Sequence, residues 1–163
     1  MSIIKQSIKR LFPEQALCYS AYKKLIKNCD SYLYTTGWMN SIREQKPRDM
    51  DGHPIPWMNF PVIKLLEERL THDLNLFEYG SGYSTCFYAN KVRAVTSVEY
   101  NEQWYYMVKS IVPENAQLVF KENDIDGDYC RAIKITGEQY DVVIIDGRDR
   151  VNCMVQRDRK SVV

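Results

Sequence analysis

Between Asn75 and Thr85 the chain reads Asn-Leu-Phe-Glu-Tyr-Gly-Ser-Gly-Tyr-Ser-Thr. An apolar run (Leu74, Leu76, Phe77) ends in Glu78, breaks into Gly80-Ser81-Gly82, and is followed by a second apolar segment after Ser84. A buried strand that turns tightly into a helix reads this way. Glycine permits a positive φ and lets a ligand approach the main chain where a Cβ would clash. Ser84 is the expected N-cap of the helix, so free N–H groups should face whatever lies over the loop. The stretch predicts a nucleotide-cofactor loop in an α/β fold.

Its spacing argues against a dinucleotide. That fingerprint needs Gly or Ala at the sixth position for close helix–strand packing, and the sixth residue counted from Gly80 is Thr85. Glu78 would repel a pyrophosphate and suits a ligand with a cationic amino-acid moiety. Glu99 closes the next apolar run. Three pieces occur in order: Phe-Glu-Tyr-Gly-Ser-Gly-Tyr-Ser-Thr, Thr-Ser-Val-Glu-Tyr and Tyr-Asp-Val-Val-Ile-Ile-Asp-Gly-Arg-Asp-Arg. Together they resemble the class I S-adenosylmethionine-dependent methyltransferases, from about Trp57 to Cys153. The resemblance implies a Rossmann-like, doubly wound, mainly parallel sheet with an N-terminal helical cap. It implies S-adenosyl-L-methionine as cofactor and methyl transfer; a small-molecule or sugar-type acceptor is expected over nucleic acid, because the core carries no basic, aromatic-interleaved surface.

Periodicity supplies the remaining elements. Ser2 to Leu33 reads as helical, interrupted by Pro13, with basic residues (Lys5, Lys9, Arg10, Lys23, Lys24, Lys27) that suit either a solvated face or acidic lipid or phosphate, the first being favoured. Tyr32 to Pro56 is rich in turn formers and reads as irregular. Helical spacing resumes at Trp57 with Ile63, Leu66 and Leu70. Strands are expected at Ala94–Glu99, Gln117–Phe120 and Tyr140–Asp146, and helices at Ser84–Lys91, after Asn101 until Pro113, and over Asp128–Ile135. Val142-Val143-Ile144-Ile145 is apolar at every position, which predicts burial on both faces and a parallel sheet. Ligands of such sheets bind beyond the carboxyl ends of the strands, and Glu78, Glu99 and Asp146 fall at those ends.

Glu99 can accept two charge-assisted hydrogen bonds from ribose hydroxyls; the alternative is a solvated strand end or a helix-cap partner. The resemblance sets Tyr79, Gly80, Ser81 and Gly82, with Ser84 and Thr85, against the cofactor. It gives Glu78 a charge interaction or a hydrogen-bonded bridge to the cofactor's ammonium, the alternative being a carboxylate that orders the loop. It points to Asn123, Asp124 and Asp126 for the adenine, and Asp124 is taken as the cofactor residue. Tyr100 either packs on the adenosine or belongs to the core. Methyl transfer chiefly requires nucleophile, carbon and sulfur in line; Asp146 is the candidate proton acceptor for an oxygen nucleophile. Arg148 and Arg150 offer planar forks for an acceptor carboxylate or phosphate, or a carboxylate–arginine network that organises the loop. Trp57 and Trp38 either wall an acceptor pocket or pack under a long loop, the second being favoured.

Charge is nearly balanced, net +1, so no nucleic-acid or membrane partner is implied by the net value. Five scattered cysteines suit reduced thiols in a cytoplasmic protein, with Cys86 and Cys153 as small core residues. His53 and His72 are too scattered for a metal site, and no apolar run is long enough for a transmembrane segment. Residues 1–56 are read as the cap segment and 57–157 as the cofactor-binding domain. Asp158 to Val163 match one frame of a common sequencing adapter and are read as a non-native tail, with the natural chain expected to continue and further strands missing. The alternatives are an NAD(P)-dependent oxidoreductase or sugar-nucleotide enzyme, or a catalytically silent binding domain. The oligomeric state is not legible.

Overall fold

The computed structural model describes residues 11–122 and 124–156. Asn123, the positions before Leu11 and the expected non-native tail lie outside the described residues. The chain divides into two compact units, Met1–His53 and Pro54–Val163.

In the first unit, α1 spans Pro13–Leu25, with Pro13 in its first turn. A proline there lacks only an N–H that would have had no intrahelical partner. The expected irregular segment contains two short helices, α2 (Tyr32–Thr35) and α3 (Trp38–Glu44). Its turn formers serve as boundaries: Gly37, at φ +75°, ends one helix and begins the next. A Cβ on Gly37 would fall 2.2 Å from the Arg48 carbonyl oxygen, so the position is closed to other residues.

In the second unit, α4 (Phe60–Arg69) starts three residues later than the periodicity suggests. Asn59 fixes that start, its side chain accepting from the Val62 amide. The strands β1 (Asn75–Tyr79), β2 (Ala94–Glu99), β3 (Ala116–Phe120) and β4 (Val142–Ile145) alternate with α5 (Tyr83–Ala89), α6 (Glu102–Lys109) and α7 (Asp128–Ile135). A further helix, α8 (Arg150–Gln156), follows β4 and is not evident from the sequence. The N-cap of α5 is Gly82, not Ser84; the Ser84 hydroxyl is drawn instead to Glu78. Helix α6 ends at Lys109, before Pro113.

All strand pairs are parallel, in the order β3-β2-β1-β4. The chain steps outward from β1 to β3, then crosses back to place β4 on the other side of β1. The switch point therefore lies between β1 and β4, where a doubly wound sheet opens a crevice. One sheet face packs Leu76 and Val95 against Ile63, Phe87, Tyr88 and Val92. The other packs Phe77, Tyr79 and Val98 against Tyr129, Cys130, Ile133 and Cys153. Rings on that second face meet edge to face, Phe77 with Tyr79 at 4.9 Å and with Tyr140 at 5.0 Å, each pair adding about 0.5–1.5 kcal/mol beyond area burial. Strand β4 is half-buried along its length, not buried on both faces, because it is an edge of the described sheet.

Candidate functional site

Two turns meet at the switch point. Gly80, at φ +90°, follows β1; a Cβ there would lie 2.8 Å from the Gly147 Cα in the turn after β4. A side chain on Gly147 would meet the Tyr129 hydroxyl at 1.9 Å. Gly80 is thus required by backbone approach, and Gly147 by the Tyr129 hydroxyl and, behind it, the Gly80 amide nitrogen at 3.0 Å. The Gly80 amide donates to the Val98 carbonyl, and the Asp146 amide to the Tyr79 carbonyl, extending both ladders past the strand ends.

Glu99, at the end of β2, is 3% exposed. Its Oε2 accepts from the Ser81 amide (3.0 Å) and hydroxyl (3.2 Å), and its Oε1 from the Tyr100 (2.9 Å) and Asn101 (2.8 Å) amides. The carboxylate therefore ties the glycine loop to the end of β2. Trp104, on α6, completes the tie by donating from Nε1 to the Ser81 carbonyl at 2.7 Å.

Glu78 lies beneath the loop on the α5 face, 1% exposed. It accepts from the hydroxyls of Ser84 (2.5 Å), Thr85 (2.6 Å) and Ser97 (2.8 Å). Register explains Ser97, which stands directly opposite Glu78 on β2. Burial pushes the Glu78 carboxyl up to about 7; the three hydroxyls oppose the shift and the charge of Asp146 adds to it. Thr85 also accepts the Gly82 amide at 2.9 Å, closing the loop on itself. That bridging role accounts for a threonine where a dinucleotide loop has Gly or Ala.

Arg150 pairs with Asp146 at 2.9 Å and donates from Nε to the Gly147 carbonyl at 3.1 Å, so its fork organises the turn after β4. Arg148 donates to the Tyr100 hydroxyl at 3.2 Å and lies over its ring at 5.7 Å, linking the β4 turn to the end of β2 across β1. The structure therefore gathers Gly80, Ser81, Gly82, Ser84, Thr85, Glu78, Glu99, Tyr100, Asp146, Arg148 and Arg150 around the switch point. Tyr79 contributes only backbone there: its ring is buried in the core and its hydroxyl donates to the Cys130 carbonyl at 2.7 Å. Asp124 is exposed in the turn that leads to Gly127, and its carbonyl accepts the Gly127 amide. Trp57 is 68% and Trp38 43% exposed, contrary to the expected packing under a loop.

Sequence reasoning did not single out Ser97, Trp104, Tyr88 or Tyr129 for the site. Ser97 was findable only from register, and Trp104 reads as an ordinary apolar helix position. Tyr88 and Tyr129 carry buried hydroxyls without a hydrogen-bond partner. Glu78 and Asp146 push the Tyr88 phenol up after burial itself, and the Arg148 backbone lies near enough to Tyr129 to oppose its upward shift. In the first unit Asp49, Asp51 and His53 bring one potential ligand atom each within 4.8 Å. That cluster is satisfied as a turn, Asp49 accepting the Asp51 and His53 amides at 2.9 and 2.8 Å. Among the described residues no helix is long and apolar enough to cross a membrane.

No family profile and no curated protein matches the chain. Among solved structures, a methyltransferase-like protein from Silicibacter pomeroyi is similar with a TM-score of 0.51 and 28% identity, over 64% of this chain and 66% of that one. Precorrin 8W decarboxylase from Methanobacterium thermoautotrophicum follows with a TM-score of 0.47 and 14% identity, over 69% and 62%, too distant to bear on function. This chain thus spans slightly less than two thirds of either protein's length. The fold is Rossmann-like, in the architecture of the methyltransferase-like protein.

Proposed function

We propose that the chain carries an S-adenosylmethionine site and transfers a methyl group to a small-molecule or sugar-type acceptor. The observation that carries this reading is the convergence of Glu78, Glu99 and Asp146 at three strand ends around the Gly80–Gly82 loop. The likeness to a methyltransferase-like protein supports it. The donor set fits the cofactor: Glu99 Oε2 already accepts an O–H, that of Ser81, in the manner a ribose hydroxyl requires. Bound S-adenosylmethionine would supply an electrophilic methyl group.

The residues divide the work as follows. Glu99 exchanges the Ser81 donors for the ribose. The loop backbone from Gly80 to Gly82 lies along the amino-acid portion, and Glu78 reaches toward it through the Ser84 hydroxyl. Asp124 and Tyr100 serve the adenosine. Asp146, held by Arg150, accepts the acceptor's proton, and Arg148 is the arginine left to meet an anionic group on the substrate, with Trp57 exposed for it to pack on.

A second reading has one observation in its favour. Glu78, Glu99 and Asp146 are each already engaged within the protein, which a silent scaffold of the same fold would also show. Calorimetric titration with S-adenosylhomocysteine, NADH and the Glu99→Ala variant separates the readings. Saturable binding of S-adenosylhomocysteine, weakened at least tenfold in Glu99→Ala and absent for NADH, is the expected result. Binding of NADH would move the chain to the oxidoreductases. Binding of neither would leave the scaffold.

A further inference from the structure

Helix α1 shows its large apolar side chains and hides its small ones. At 3.6 residues per turn, Tyr19, Tyr22, Leu25 and Ile26 share one face with Phe12 just before the helix, and all five are exposed, from 39% at Ile26 to 61% at Tyr19. The half-buried residues of the helix are Ala16, Ser20 and Ala21, on the other side, where Leu17 is also exposed. No residue of the helix is buried. Lysines border the apolar face: Lys23 lies over the Tyr19 ring at 5.0 Å and Lys27 over the Tyr22 ring at 5.9 Å. Up to Lys27 the sequence carries six cationic side chains against the single Glu14, in a chain whose total is only +1. The rest of the protein is accordingly acidic, so the cationic charge is concentrated in this segment.

We infer that α1 is an interfacial helix that lays Tyr19, Tyr22, Leu25 and Ile26 onto an anionic lipid surface, with Lys23, Lys24 and Lys27 at the headgroups. An aromatic and aliphatic face edged by lysines is the pattern that binds in the plane of a membrane, and lysine stems can reach along it to the phosphates. A second copy is a poorer occupant, because two such helices would bring six of these lysines together with only a pair of Glu14 side chains to offset them. Nucleic acid would use the lysines and tyrosines but leave Leu25 and Ile26 in water.

The test is flotation of the full chain with vesicles of phosphatidylcholine alone or mixed with phosphatidylserine. Co-flotation with the anionic vesicles, reversed by high salt, is expected. The K23Q/K24Q/K27Q variant should bind roughly a hundredfold more weakly, each lysine near the surface being worth about fivefold. Y22S/L25S/I26S, which leaves the charge untouched, should also lose binding, and this separates insertion from simple charge attraction. All six positions are exposed, so both variants should melt as the parent does. Equal flotation with neutral vesicles, no flotation, or indifference to either triple variant would overturn the inference, as would sedimentation showing that the parent self-associates through this helix. S-adenosylhomocysteine binding is read separately and bears on the other proposal alone.

Discussion

Glu78 is buried beside Asp146 with no cation among its hydrogen-bond partners. Its carboxyl rises from 4.5 to about 7 on folding, so between those values the folded chain holds more protons than the unfolded one. Stability from this group is therefore fully present below pH 4.5 and declines as the pH rises toward 7, by roughly 3 kcal/mol in all. Glu78→Gln keeps the shape and removes the ionisation, and the three hydroxyls can rotate to meet an amide. Thermal melts should show the parent losing stability relative to the variant from pH 5 to 7.5; parallel profiles would mean that Glu78 stays charged throughout. Ser81 gives a second expectation. Its hydroxyl competes for Glu99 Oε2, so Ser81→Ala should tighten S-adenosylhomocysteine binding by about two- to tenfold, the worth of one net hydrogen bond. Weaker binding in calorimetry would mean that the serine itself contacts the ligand. The acids at the strand ends were legible because the apolar runs stop at them. Which of their oxygens were already engaged was not legible, because those bonds join residues 18 or 19 positions apart, as Ser81–Glu99 and Ser97–Glu78 do.

At the scale of elements, local rules predict well where a side chain acts on its own backbone. Asn101 was legible as a cap and accepts the Trp104 amide at 2.9 Å; Asn101→Ala should cost about 1 kcal/mol in chemical denaturation. The same reasoning misassigned Ser84, because the buried carboxylate of Glu78, six residues earlier on β1, competes for its hydroxyl more strongly than the helix terminus does. The β1 and β4 turns obey a tertiary rule that no local pattern states. Gly80→Ala meets backbone and a positive φ, and should cost several kcal/mol with no side-chain change able to relieve it. Gly147→Ala meets the Tyr129 hydroxyl first, then backbone at 3.0 Å. Tyr129→Phe alone removes a buried group that has no partner, so it should be neutral or stabilising. Combined with Gly147→Ala it should recover part of that variant's loss in a double-mutant cycle. Strict additivity would place the two groups further apart than they stand.

For the whole molecule, the division at His53 and Pro54 separates two kinds of surface. Every residue gathered at the switch point lies after Pro54, and the cationic, apolar face of α1 lies before it. Charge segregates in the same way, the first 27 residues being cationic and the remainder acidic. Composition over the full length hides this, which is why the net value of +1 gave no hint of an anionic partner. If the β1–β4 crevice holds the cofactor by the contacts argued above, a chain beginning at Pro54 should bind S-adenosylhomocysteine within about threefold of the full chain, a difference under 1 kcal/mol. The two sheet-face clusters and all four strands lie within that second unit, so its fold does not depend on the earlier residues for a core. Calorimetry on the shortened protein, preceded by a melt to establish cooperative folding, checks this. A folded sample with tenfold weaker binding would mean that the first unit contributes to holding the ligand, as the expected cap segment before residue 57 would.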